Sequence, residues 1–435
     1  MNIMPFTMTI SLGLCAVPGD ACAEGTLGTP AYTGERARSL HPVSITVGQA
    51  EAQIQGNTNV CLQAGVDYVA GLGGGTVKVL PGRYVMHDSL HLRPNVTIRG
   101  TGPETILAKA PMVESPLSAD LGYGHFDVSL AKPEGFRPGM GIHIKDGRSG
   151  GFYTTCATLT FRDGDRFGIT RMLNHDYSRH ADAIVRSVFP VVSGYNSPDC
   201  LIENLRIDGN AENNGRLNGC RGGGIFLLHA DRTIIRKVMV ENYNGDGISF
   251  QQCADVVVEN TTCQNNRGLG FHPGSGSTRP VMRDLIGRNN GGDGLFYCLR
   301  VSNGTLENSV FENNGGHGLS IGGRDTDHLI RNCTIRSNGG CGVYFRRGDE
   351  AMAGSRNTIE SCVIERNCRT KGKGKAEVHL DAALTNIVLK GNTISPDTTP
   401  EGKRPGILIE SNVRSVELDA NTISGPEAKR VVDQR

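Results

Sequence analysis

From about residue 199 onward, apolar and polar positions alternate in short runs separated by asparagine and glycine. The segments Gln264–Pro273, Arg288–Tyr297, Glu312–Ile321 and Arg336–Phe345 read QNNRGLGFHP, RNNGGDGLFY, ENNGGHGLSI and RSNGGCGVYF. Period-two alternation is the pattern of half-buried strands. Asn266, Asn290, Asn314 and Asn338 recur at a constant step of 24 residues, each followed by a glycine turn and an apolar, outward, apolar triplet. A fixed step in the twenties predicts stacked coils. One coil cannot bury its apolar face alone, so each must stack on the next.

The same pattern divides the chain. Regular coils are expected over 196–424, starting near Asp199, Arg232, Ala254, Arg279, Asn303, Asp327, Asn357, Asn386 and Arg414, with loops inserted at Ala211–Gly219, Gly348–Ser355 and Arg369–Lys375. Residues 425–435 read as a tail. Thr58–Ala70 reads as an amphipathic helix capped by Asn57 or Thr58, with Val60, Ala64, Val66 and Val69 apolar. It would plug the open end of the solenoid, whose last strands otherwise expose unpaired edges. Three short strands follow at Thr76–Leu80, Arg83–Met86 and Asn95–Arg99. The cap and first coils span 24–120, of which 24–56 show little pattern. Residues 121–195 break the repeat, with longer strands at Phe126–Leu130, Gly141–Lys145 and Ala157–Phe161, and read as an inserted β-lobe.

Composition adds a few constraints. The 435 residues include 59 glycines and no tryptophan, which suits tight turns around a thin aliphatic core. A net charge of +1 gives no global field for nucleic acid or a membrane surface. No apolar run reaches the roughly 20 residues of a membrane-spanning helix. Met8–Val17 followed by Ala21-Cys22-Ala23 resembles an export leader over residues 1–23, although a basic n-region is missing; the expected location is secreted or periplasmic. Thirteen cysteines are too scattered for a disulfide framework. Cys263 shares the inward column of Phe311 and Ile335, and Cys333 and Cys362 fall in one column of adjacent coils about 4.8 Å apart, a distance that permits a disulfide but reads first as a buried thiol stack. No C-x-x-C pair or His–Cys cluster suggests zinc, and no carboxylate cluster suggests calcium, so no cofactor is expected.

The helical plug, the coil steps and the asparagine column over 57–424 resemble right-handed parallel β-helix proteins of the pectin-lyase-like superfamily. That resemblance implies an all-β solenoid and a polysaccharide lyase, a glycoside hydrolase, a uronan epimerase or a non-catalytic surface β-helix. Gly316-His317-Gly318 is similar to the Gly-His-Gly motif of polygalacturonases, with Asp293 at the place of one aspartate and Arg346 at that of a substrate-binding lysine. Gly292, Leu269 and Tyr344 depart from that family's remaining aspartates and arginine. Asn265-Asn266-Arg267 is similar to uronan epimerases, but Leu269 and Cys263 stand at their catalytic histidine and tyrosine positions.

Stacking would place Asp246, Leu269, Asp293, His317 and Cys341 in one column before the strands. Gly247, Gly270, Gly294, Gly318 and Gly342 would bend this column outward. Ser249, His272, Phe296, Ser320 and Tyr344 form the next column, and Gln251, Arg300, Arg324, Arg346 and Arg347 lie beyond. Asp246 and Asp293, two coils apart, would be about 9–10 Å apart, close to the spacing of an inverting glycosidase pair. In that hydrolase reading one is the acid and the other the base, with His317 tuning Asp293. A lyase reading instead uses His272 or His317 as base and Arg300, Arg324 or Arg346 against a uronate carboxylate. Tyr344 and Gln251 would bind substrate, an acidic polysaccharide in either case. Oligomeric state and the sugar are not encoded in the pattern.

Overall fold

The computed structural model describes residues 43–148, 153–396 and 404–435. The leader-like segment 1–23 and the stretch 24–42 lie outside them. The chain is an all-β right-handed solenoid of parallel strands. A 22-stranded sheet wraps two sides of the coils and an 11-stranded sheet forms the third. A typical coil places Val257–Glu259 and Thr262–Gln264 in the larger sheet and Phe271–Gly274 in the smaller. Asn260 turns between the first two strands at φ 48°, a left-handed conformation in which asparagine is the least strained of the side-chain-bearing residues.

Inward columns follow the 24-residue step. Cys263, Gly287, Phe311 and Ile335 are paired in register, and the ring of Phe311 fills the space a side chain at Gly287 would need. Cys333 and Cys362 are buried free thiols, as are most of the eleven described cysteines.

The asparagine column is a continuous ladder. Asn266 donates its backbone N–H and its Nδ2 to Asn290 Oδ1 at 3.1 and 3.0 Å, and its Nδ2 also reaches Val240 O. The rung repeats from Asn290 to Asn314, from Asn314 to Asn338 and from Asn338 to Asn367. Each asparagine thereby satisfies buried turn amides that water cannot reach. The glycines beside this column have negative φ, contrary to the expected bend. They are needed for space: a Cβ on Gly294 would lie 2.8 Å from Gly318 O and 2.9 Å from Asn314 Nδ2. On the outer side, arginines ladder to carboxylates of the previous coil, as Arg283 does to Glu259 and Arg331 to Glu307.

The plug helix is Asn59–Gly71, capped by Thr58, whose Oγ1 accepts from Val60 N at 3.3 Å. Its buried face is Cys61, Leu62, Gly65, Val66 and Val69; Val60 and Ala64 point outward, so the apolar face is rotated from the expected one. Gly65 permits contact with Val47 and Val77 at the end of the core. Ser44–Gly48 and Ile54–Gln55 already belong to the larger sheet. Strands Gly75–Val79, Gly82–Met86 and Val96–Arg99 occupy the expected positions. The lobe is a six-stranded antiparallel sheet running from Glu114 to Arg186, earlier than 121–195, because Val192–Tyr195 pairs within the solenoid. Val431–Asp433 pairs with Ile407–Ile409, so the expected tail closes the smaller sheet.

Two outcomes follow. Asn314→Ala leaves coil amides buried without acceptors, so the unfolding midpoint in denaturant should fall by the equivalent of about 2–3 kcal/mol; Asn313→Ala, an exposed neighbour, should cost clearly less. The buried ring of His328 stacks on Tyr297 at 4.1 Å, and burial holds its pKa down to about 4. The unfolded chain therefore binds this proton between about pH 6.5 and 4 while the folded chain does not, and stability falls with pH across that window by roughly 3 kcal/mol. His328→Gln should flatten this part of the midpoint-versus-pH curve.

Candidate functional site

The column preceding the smaller sheet forms as expected, and it has a structural task. Asp246 Oδ1 accepts from Leu269 N at 2.9 Å, Asp293 Oδ1 from His317 N at 2.7 Å, and His317 Nδ1 from Cys341 N at 2.9 Å. Each residue thus caps the amide one coil further on. One heteroatom of each side chain remains, and its surroundings differ from coil to coil.

Asp246 directs Oδ2 to His272 Nδ1 at 2.7 Å, and both residues are buried. The inserted loop covers them: a side chain at Gly219 would collide with Asp246 Oδ2, and Ser249 Oγ ties the loop down through Gly219 O at 2.7 Å. Burial opposes a charge on His272, but the hydrogen bonds and charges of Asp246 and Cys298 together outweigh it and raise the pKa to about 9. Both oxygens of Asp246 are engaged and roofed over. Asp246 and Asp293 therefore do not form an open acid–base pair, which corrects the hydrolase pairing drawn from spacing. His272, equally covered, is no base for a polymer.

Asp293 is also buried, and His317 beside it is half-buried. Burial raises the pKa of Asp293, against the nearby charges of His317 and Arg346. Because Nδ1 of His317 accepts a hydrogen bond, the neutral ring carries its proton on Nε2, so it is a donor toward the groove rather than a base. His317 stacks on Tyr344 at 4.6 Å, and Tyr344 on His379 at 5.2 Å. Tyr344 Oη donates to Asp381 Oδ2 at 3.1 Å, and Arg347 Nε donates to Asp381 Oδ1 at 3.2 Å. His379 Nε2 meets Glu410 Oε1 at 2.9 Å. Burial, with the neighbouring Asp381, raises the Tyr344 pKa.

Arg346 lies over Phe296 at 4.0 Å and donates to Ser320 Oγ at 2.9 Å and to Asp325 Oδ2 at 3.2 Å. Arg300 and Arg324 are exposed turn residues at φ 58° and 64°; no described hydrogen bond or ion pair joins them to Asp293, His317 or Arg346. Gln251 is buried, donating Nε2 to Ser249 Oγ, and lines a cavity of about 310 Å³ between the lobe and the face, with Thr155, Arg171, Tyr195 and Phe226. The substrate contact expected of Gln251 would therefore be made from this cavity wall.

His379, Asp381 and Glu410 were not read from the sequence. The Arg369–Lys375 insertion lengthens the step from Tyr344 to His379 and hides the column; subtracting the insertion would have recovered it. Cys220, directly after the Ala211–Gly219 insertion, carried no periodic signal at all.

A family model described as "Right handed beta helix region" matches residues 191–298 and 274–432. No curated protein matches the chain in sequence. Among solved structures, the chain is similar to the A-module of mannuronan C-5 epimerase AlgE6 of Azotobacter vinelandii, with TM-score 0.54, 16% identity and coverage of 87% of this chain and 91% of that one. The AlgE4 A-module of the same organism gives 0.53, 17%, 87% and 96%. An endo-xylogalacturonan hydrolase from Aspergillus tubingensis gives 0.52, 12%, 89% and 94%.

The tautomer can be checked directly. Nitrogen-15 spectra of imidazole-labelled protein should show His317 as the Nε2–H form at neutral pH; a ring protonated on Nδ1 would contradict the geometry.

Proposed function

We propose that this chain, which belongs to the right-handed β-helix family, cleaves a polysaccharide laid along its 11-stranded face by glycoside hydrolysis. The observation that carries this reading is the buried carboxyl of Asp293, with its pKa raised, beside the outward Nε2–H of His317. A carboxyl whose pKa is raised is better suited to protonate a leaving oxygen than an ordinary one. Asp381, held by Tyr344 and Arg347, lies three coils further along the same sheet, about 14 Å by strand spacing, so it is not the direct partner of Asp293 at the ~6.5–9.5 Å of an inverting pair. Arg346 and Arg347 favour a uronic-acid-containing chain. The solenoids of an epimerase and a glycan hydrolase with the same topology support a polysaccharide substrate, and the leader-like N-terminus supports action outside the cytoplasm.

A lyase is the second reading, favoured by the cation of Arg346 near Asp293. It lacks an evident base, because His317 presents a proton and Tyr344 holds its own more tightly than usual.

A panel of polyuronates and neutral glycans, assayed for new reducing ends and for ultraviolet absorbance of unsaturated products, tests the reading. Reducing ends without absorbance are expected, with Asp293→Asn lowering kcat by about 100-fold or more while the fold is retained. Unsaturated products would replace hydrolysis by elimination. Retention of a glycan without either product would make the face a binding surface, and unchanged turnover in Asp293→Asn would remove the site.

A further inference from the structure

The roofed half of the face holds a separate constellation. The loop that covers Asp246 makes a tight turn at Asn218, whose Oδ1 accepts from Cys220 N at 2.9 Å and whose carbonyl accepts from Arg221 N and Gly222 N. This turn brings Cys220 down onto the solenoid. Cys298 arrives from the coil after His272, its N–H bound to Pro273 O at 2.9 Å. The two sulfurs and a ring nitrogen of His272 all lie within 4.8 Å of one another.

Three features set this cluster apart from an ordinary group of buried thiols. His272 is only 3% exposed, and its Nε2 has no hydrogen-bond partner. A buried ring nitrogen left unpaired is costly; the groups beside it are the Cys220 and Cys298 sulfurs, of which the Cys298 thiol is at best a weak donor, and an ion shared with those sulfurs would satisfy it fully. The opposite nitrogen, Nδ1, is fixed by Asp246, which orients the ring and leaves Nε2 to face the sulfurs. A carboxylate bound to the far nitrogen is the usual support of a metal-binding histidine. Finally, both cysteines are free thiols. A disulfide between them would still leave Nε2 unsatisfied, whereas an ion would engage all three.

We propose that Cys220, His272 and Cys298 bind a thiophilic metal ion, zinc(II) in the first instance, with Asp246 as the positioning residue behind His272. Bonds of about 2.3 Å to sulfur and about 2.0 Å to nitrogen in a tetrahedral site put ligand atoms about 3.5–3.8 Å apart, so the cluster closes by no more than about an ångström. Sulfur and imidazole donors select zinc or copper(I) over calcium or magnesium, and Asp246 has no free oxygen to offer a hard cation. Cys220 also lines the cavity of about 310 Å³, which gives the ion an entry path and its fourth position a source of water or another small ligand. The ion would clamp the inserted loop to two successive coils. None of this depends on the polysaccharide reading, and its readout is metal, not turnover.

The full chain, reduced with a non-chelating phosphine, is titrated with cobalt(II). One equivalent should produce a sulfur-to-cobalt charge-transfer band in the near ultraviolet, which zinc(II) abolishes by displacement. The band should be lost in Cys220→Ser and in Cys298→Ser, be retained in Cys368→Ser, and require about 10- to 100-fold more metal in Asp246→Asn. Should the serine variants fail to fold, alkylation of the wild type mapped by mass spectrometry decides the matter: zinc should slow labelling of Cys220 and Cys298 at least several-fold and leave the other cysteines unchanged. No band in the reduced wild type, a band that survives in both serine variants or disappears only in Cys368→Ser, or equal labelling with and without zinc would each overturn the assignment.

Discussion

The structure depends on a constant coil step, and side-chain amides enforce it. Asn290 gives both its backbone N–H and its Nδ2 to Asn314 Oδ1, while its own Oδ1 receives the same pair from Asn266. A coil longer or shorter by one residue at this corner would break the rungs on both sides and bury several unpaired polar groups. The insertions at this corner flank the ladder: 211–219 follows Asn210 before its first rungs, and 369–375 follows Asn367, where the Glu377 carboxylate accepts from Asn367 N and Nδ2 in place of a further asparagine. The glycine beside each asparagine answers the same demand, since any side chain there would strike the ladder.

A fixed step turns residues far apart in sequence into neighbours, and the column before the smaller sheet shows how structure and chemistry share one side chain. Asp246, Asp293 and His317 each use one heteroatom to cap the next coil. That contact needs only an acceptor, so a turn-forming residue and a reactive one look alike in sequence. What distinguishes them is the cover over the second heteroatom. The inserted loop seals Asp246 against His272, whereas Asp293, also buried, has the half-buried His317 as its neighbour. The same column thus serves two different surroundings.

The period revealed most of the solenoid: its core columns, its asparagine ladder and the Thr58 cap of the plug helix all follow from local pattern and step. It failed where spacing is not conserved by the repeat. The lobe's antiparallel pairings carry no register signal, so its ends were misplaced. The helix face was misjudged because the core end selects Cys61 and Gly65, which accommodate close approach, over the more apolar Val60. His379 and Asp381 were displaced by an insertion, and Cys220 lies within one. The Asp246–Asp293 pairing failed for a different reason: distance along a column can be read from strand spacing, but a loop folding over one member cannot.

Phe296 explains how two unlike sites coexist on adjacent coils. Its ring meets His272 edge to face at 5.6 Å on one side and carries the Arg346 guanidinium over its face at 4.0 Å on the other. The negative face of the ring favours the cation, and the ring's bulk stands between that cation and the His272–Asp246 pair. Arg346 accordingly turns to Ser320 and the buried Asp325, where its charge acts on Asp293.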